Sequence, residues 1–254
     1  DKEPFEESIQ TNIDLYMTNL SKHLSVNRKP LHSENVSSSF SYINQNIYIC
    51  VYRTEEWFKC LMYELFSSFT IDLVSNARGI NYNNILSTSA FNLNANFSVV
   101  EPVLEFCARI FNMAYVSFLN EKSSENYPIV FQANLEEERV FSIIQSTKML
   151  SHFGLKYSAI INMNLMKHTR KMYSERTNAF GFYVITSILF YHFDRIIMWL
   201  NFKDKLFDIE KNDKELVILT HYISYVAHDE KMIKYFDYMR NVKSEKKNVN
   251  MSLF

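Results

Sequence analysis

The chain is predicted to be mostly α: a single helical domain over residues 1–254 with a minor β element near residues 43–52. Three observations carry this. Only three glycines and four prolines occur in 254 residues, so few special backbone conformations are encoded. That scarcity disfavours glycine-dependent phosphate loops, tight hairpins and doubly wound nucleotide folds. Apolar residues recur at helical spacing through most of the chain. One run alone, Ile43 to Tyr52, is rich in β-branched and aromatic residues in the manner of a strand.

Taken in order, Ile9, Ile13, Leu15, Tyr16, Leu20 and Leu24 give residues 6–24 a helical rhythm, and the polar stretch 25–42 reads as a loop. After the β run, Thr54 is placed to cap a helix reaching about Ser75, with Glu55 and Glu56 in its first turn, where carboxylates suit the helix dipole. Residues 76–97 are Asn-rich and loop-like. A second long helix is expected over 98–120, with Pro102 tolerated in its first turn. Residues 121–134 read as another polar connection. Leu135 to Phe153 is helical and Gly154 is placed to end it. A shorter helix is expected over 157–167, and the most apolar helix, 178–200, should form the centre of the core. Helices over about 211–227 and 229–241 follow, the last capped by Asp229, and 242–254 reads as a tail.

Composition narrows the function. Lys plus Arg is 27 and Asp plus Glu is 28, so no basic excess points to nucleic acid. Lys243, Lys246 and Lys247 form a small cluster interrupted by Glu245, best read as a solvated tail. The aromatic share of 15% makes rings a large part of the expected core, and Trp57 and Trp199 are expected to be largely buried. Cys50, Cys60 and Cys107 are few and fit no paired motif, which suits buried thiols in an intracellular, reducing compartment. N-x-S sequons at Asn19, Asn35, Asn96 and Asn250 read as chance in a chain rich in Asn and Ser. The longest apolar run, Ala179 to Tyr191, is too short to span a bilayer, and no signal peptide is visible.

The chemistry centres on Tyr63-Glu64-Leu65-Phe66-Ser67. In an H-E-x-x-H helix two histidines at i and i+4 share a face and bind zinc, while the intervening glutamate polarises the metal-bound water. Here the glutamate stands and both histidine positions are changed. Downstream, Glu101 and Glu105 are four apart and share one helical face, which as a surface feature would simply be an exposed acidic stripe. Without a metal-bound water Glu64 has nothing to deprotonate; it should accept hydrogen bonds in the core or pair with a basic residue, Arg109 being one candidate. His221 and His228 are seven apart and would stand about 10 Å from each other along one helix, too far for a shared zinc. His152, His168 and His192 stand alone. No G-x-S-x-G, phosphate loop, C-x-x-C or dinucleotide fingerprint occurs, and the apolar surroundings of Cys107 do not suggest a nucleophile.

Four blocks in order resemble a family of H-E-x-x-H metallopeptidase-like proteins of large DNA viruses. They are Glu56-Trp57-Phe58-Lys59 through Phe69; Val99-Val100-Glu101 through Glu105-Phe106-Cys107-Ala108-Arg109; Phe141 to Gly154; and Tyr173 to Phe180 with the apolar helix behind it. The resemblance spans residues 54–200 and implies a zincin-like helical core. It places metal ligands at Tyr63 and Ser67 and a third at Glu101 or Glu105. Serine is a poor neutral ligand, and tyrosine binds metal only as phenolate, with a reference pKa of about 10. A full ligand set in a structural site contributes roughly 10–16 kcal/mol, most of which two such changes remove. The expectation is a degenerate, non-catalytic member: relict positions Tyr63, Glu64, Ser67, Glu101 and Glu105, no metal, no cofactor, protein partners, and residence in host cytoplasm or virus particle. Two alternatives are an active metallopeptidase using Glu64, Glu101 and Glu105 with a histidine from elsewhere, and a helical subunit of a cellular assembly unrelated to peptidases. Whether these side chains face one another separates the three.

Overall fold

The computed structural model describes residues 10–24, 29–69, 82–121, 123–200, 213–241, 250, 251 and 253. Helices predominate, beside one small sheet, as the composition predicted. The strands are β1 (Thr11–Thr18), β2 (Ser39–Ile43) and β3 (Ile47–Arg53), in the order β1-β3-β2. The predicted β run is the central strand β3. It pairs antiparallel with β2, Tyr42 opposite Tyr48, and parallel with β1, Ile13 opposite Ile49.

Two of these strands correct the sequence reading. Residues 11–18, expected as helix, form β1, because the open backbone edge of β3 offers a ladder that outweighs a weak local rhythm. The strand bends between Leu15 and Thr18, where its register shifts and Met17 takes a positive φ of 51°. Residues 39–42 of the expected loop 25–42, together with Ile43 from the start of the expected β run, form β2. Its alternation turns Phe40 and Tyr42 to one face and Ser39 and Ser41 to the other. The short helix α1 (Ser33–Val36) lies in the same stretch.

Helix α2 (Trp57–Phe69) covers one face of the sheet, where Ile47, Ile49 and Val51 pack with Cys60, Trp57, Leu61 and Leu65. It begins at Trp57, after the two glutamates expected in its first turn. Thr54 does not cap it; its hydroxyl donates to the Thr18 carbonyl, 3.1 Å away. Glu56 stands just ahead of the helix with a positive φ of 60°, so the chain turns sharply there. Residues 70–75 of the expected helix lie outside the described residues.

The helical body continues with α3 (Tyr82–Ser89), α4 (Val100–Asn120), α5 (Tyr127–His152), α6 (Tyr157–Ile160), a 3-10 turn at Met163–Leu165 and α7 (Met166–Met172). Helix α3 falls within the expected loop 76–97, and α5 starts well before 135, with Pro128 tolerated in its first turn. Its end follows prediction. Gly154 has φ 74°, its N–H donates to the Ser151 carbonyl at 2.9 Å, and the Leu155 N–H reaches the Leu150 carbonyl at 3.0 Å. This is a Schellman closure, with Leu150 and Leu155 both buried beside it.

The most apolar segment is indeed central: Phe180, Val184, Ile185, Leu189 and Phe190 are fully buried. It is not one smooth helix. A π-helical turn over Gly181–Ile185 leads into α8 (Thr186–Tyr191), His192 breaks the chain direction, and α9 (Phe193–Leu200) follows. Phe180 meets Phe91 and Phe97 edge-on at 4.9 and 5.3 Å, so ring packing carries much of this centre. Trp57 and Trp199 are only half-buried. Helices α10 (Asp213–Val226) and α11 (Glu230–Met239) complete the described helices, and Asp229 caps α11 by accepting from the Lys231 and Met232 N–H groups. Among the described residues, α4 alone is long and apolar enough to cross a membrane by length and composition. Its Glu105 and Arg109 are paired and buried inside the protein, as in a core helix. The expected basic cluster at Lys243, Lys246 and Lys247 lies outside the described residues.

Candidate functional site

Helices α2 and α4 pack against each other, so the two sequence-predicted blocks do come together. Tyr63, Glu64 and Glu105 line one small cavity of about 40 Å³, with Lys59, Cys60 and Phe182 beside them. That is room for about one or two waters. Phe182, placed by the π-helical turn, meets the Tyr63 ring edge-on at 5.6 Å. Ser67 does not line this cavity. Glu101 lies one turn from Glu105 on α4, but its carboxylate accepts from the Asn178 side-chain amide.

Glu105 is not on an exposed helical face, as its spacing had allowed; it is 1% exposed and bound by two cations. The Lys59 ammonium lies 3.0 Å from its Oε1 and 3.2 Å from its Oε2. Arg109, one turn along α4, donates from Nε to Oε1 at 2.9 Å and from a terminal nitrogen to Glu138 Oε1 on α5 at 3.4 Å. Arg109 therefore serves Glu105 and Glu138, not Glu64 as the sequence had suggested. Burial disfavours the charge on Glu105, but Lys59 and Arg109 outweigh it and hold the carboxyl below its usual range. Burial likewise opposes the charge on Lys59, yet the neighbouring Cys60, Glu105 and Glu56 raise its pKa and keep it an ammonium.

The cluster extends to Lys22, fully buried and paired with Glu56, while the Lys22 backbone N–H donates to Glu55 Oε1 at 2.7 Å. Among the described residues, Lys22, Lys59 and Arg109 thus face Glu56, Glu105 and Glu138, three cations against three carboxylates. A balanced set of this kind is the condition under which buried charges are tolerated. Glu64 has its own partners. Its two carboxylate oxygens accept from the Ser39 hydroxyl at 2.7 Å and the Ser41 hydroxyl at 2.6 Å, both on the inner face of β2. Burial raises its pKa, and the two serines and Lys59 partly reverse that. The sequence reading of Glu64 as a structural acceptor holds, with serines in place of a basic partner.

These residues do not fit a zinc ion. Burial and the carboxylates of Glu101, Glu64 and Glu105 push the Tyr63 phenol well above its ordinary pKa, so no phenolate is on offer at neutral pH. Ser67 is neutral. The lone pairs of Glu105 point at two fixed cations, and a divalent ion there would have to displace one of them. Of the substitute set, Glu64 and Glu105 border the same cavity, but Glu101 does not line it, and each of the three carboxylates is held by its own donors. Among the described residues no three His, Cys, Asp or Glu side chains form a metal-binding group.

Cys50, Cys60 and Cys107 are free and buried, and burial raises each thiol's pKa, which removes the thiolate a nucleophile needs. His228 lies beyond the end of α10 and contacts the Ser224 carbonyl at 3.1 Å, so it shares no helix with His221. The residues that sequence reasoning missed are Lys22, Lys59, Glu138 and Asn178. The Glu105–Arg109 pair had a local signal in its i,i+4 spacing; Lys59 and Glu138 reach it from other helices, and no local pattern announces them.

No protein-family model, curated protein or solved structure matches this chain.

Proposed function

We propose that this chain is a non-catalytic structural or binding protein on a metallopeptidase-like helical framework, with a lysine ammonium in the place of the metal. The observation that supports it is Lys59. It lies one turn before Tyr63 on α2 and engages both oxygens of Glu105, a carboxylate that the family resemblance would make the third metal ligand. A fixed cation at that carboxylate keeps the core charge-balanced once histidine ligands are absent, and it preserves helix packing without preserving chemistry. The resemblance over residues 54–200 supplies the remaining terms of the proposal: a gene of a large DNA virus, action through protein partners, and residence in infected cytoplasm or in the particle.

The test is turnover. The purified full-length chain, incubated with a diverse peptide mixture and read by mass spectrometry, is expected to leave every peptide intact with or without added zinc. Cleavage that a chelator abolishes and zinc restores would overturn the proposal.

A further inference from the structure

The buried charge cluster also holds main chain. The Met251 N–H donates to Glu56 Oε1 at 2.6 Å, and two residues on the Leu253 N–H donates to Glu138 Oε2 at 2.9 Å. Neither residue belongs to a helix or strand. The segment is gripped by side-chain carboxylates from two separate elements, the turn before α2 and helix α5. The Met251 side chain is 4% exposed, lines the cavity with Tyr63 and Phe182, and sets its sulfur 3.7 Å from the Lys59 ammonium. Leu253 is 44% exposed, at the rim. Glu56 reaches this position only by adopting a left-handed backbone, φ 60°, a conformation a glutamate holds when its surroundings require it.

This is how a peptide site is built. Alternate backbone N–H groups are read without regard to sequence, and one side-chain pocket supplies selectivity. The pocket suits methionine, an unbranched, polarizable side chain that fills irregular space. We propose that Glu56, Glu138 and the Met251 cavity form a binding site for an extended peptide with a methionine anchor, occupied here in cis by the chain's own Met251 and Leu253 and open to a competing segment of the same chemistry. This deepens the binding role proposed above and rests on it.

The test uses the full chain, wild type and Met251→Ala, titrated with a fluorescent peptide of residues 247–253. Alanine at 251 removes the anchor that fills the cavity beside Lys59, Tyr63 and Phe182, which weakens the hold on the chain's own segment and frees the site. The variant is expected to bind the peptide at least tenfold more tightly than wild type, and a peptide with Met251→Ala is expected not to bind. Absence of binding to a folded variant, or equal binding of both peptides, overturns the proposal. Should the variant not fold, hydrogen exchange on the wild type decides. The Met251 and Leu253 amides are expected to exchange through a local opening faster than global unfolding, and exchange only by global unfolding overturns the proposal. Peptide cleavage with zinc would refute the non-catalytic reading through a different readout, so the two failures remain distinct.

Discussion

Replacing Lys59 with methionine probes the charge cluster directly. The substitution keeps an unbranched side chain of similar length and deletes one cation. Glu105 then retains Arg109 at 2.9 Å but loses the ammonium that bridges both its oxygens, and among the described residues Lys22 and Arg109 remain to face Glu56, Glu105 and Glu138. Removing one partner of a buried pair costs about 3–5 kcal/mol, and the surviving arginine puts this case near about 3 kcal/mol. In a domain of this size that lowers the Tm by about 6–12 °C. Glu105→Gln alone should cost a similar amount, because it strands Lys59. The double variant Lys59→Met/Glu105→Gln restores the balance, Lys22 and Arg109 against Glu56 and Glu138. Its cost should therefore fall below the sum of the single variants by about 2–3 kcal/mol. Urea denaturation of the four proteins measures the cycle. Strict additivity would show that Lys59 and Glu105 do not stabilise each other, and the charge-balance reasoning would be wrong.

Three further outcomes are expected. Because the folded pKa of Glu105 is held down, its contribution is present above the unfolded carboxylate pKa and is lost as pH falls through the folded value; acid unfolding should therefore shift to higher pH in Lys59→Met. Glu175 behaves oppositely: burial raises its carboxyl to about 7, only partly offset by the Phe180 N–H, the Tyr173 hydroxyl and the Asn96 and Ala179 N–H groups. The folded state there binds the extra proton, so stability should fall by on the order of 2–3 kcal/mol as pH rises from about 4.5 to about 7, and Glu175→Gln should flatten that slope in pH-resolved denaturation. Gly181→Ala would set a Cβ 2.7 Å from the Asn178 side-chain amide, the group that donates to Glu101, and should cost about 1–3 kcal/mol in the same assay.

The sequence disclosed helices where the apolar rhythm was long, as in α2 and α4, and helix ends that carry their own signal, α5 at Gly154 and α11 behind Asp229. It misled where the deciding partner was distant. β1 carries Ile13, Leu15 and Tyr16 at spacings that suit either period, and its pairing with β3 made the choice. β2 looked like a Ser-rich loop because two of its serines are there to satisfy Glu64, although the Phe40/Tyr42 alternation was visible. At the site, the sequence anticipated that Glu64 accepts hydrogen bonds, though not that serines donate them. The partners of Glu105 were not anticipated. A buried lysine has no sequence signature, since its cost is met by carboxylates that only the fold brings near.

Equilibrium dialysis of the full-length chain against zinc, with retained metal read by elemental analysis, tests the central claim that Lys59 and Arg109 hold Glu105 in the place of a metal. The account predicts that wild type and Glu105→Gln retain the same substoichiometric zinc. One equivalent retained by wild type and lost in Glu105→Gln would contradict it.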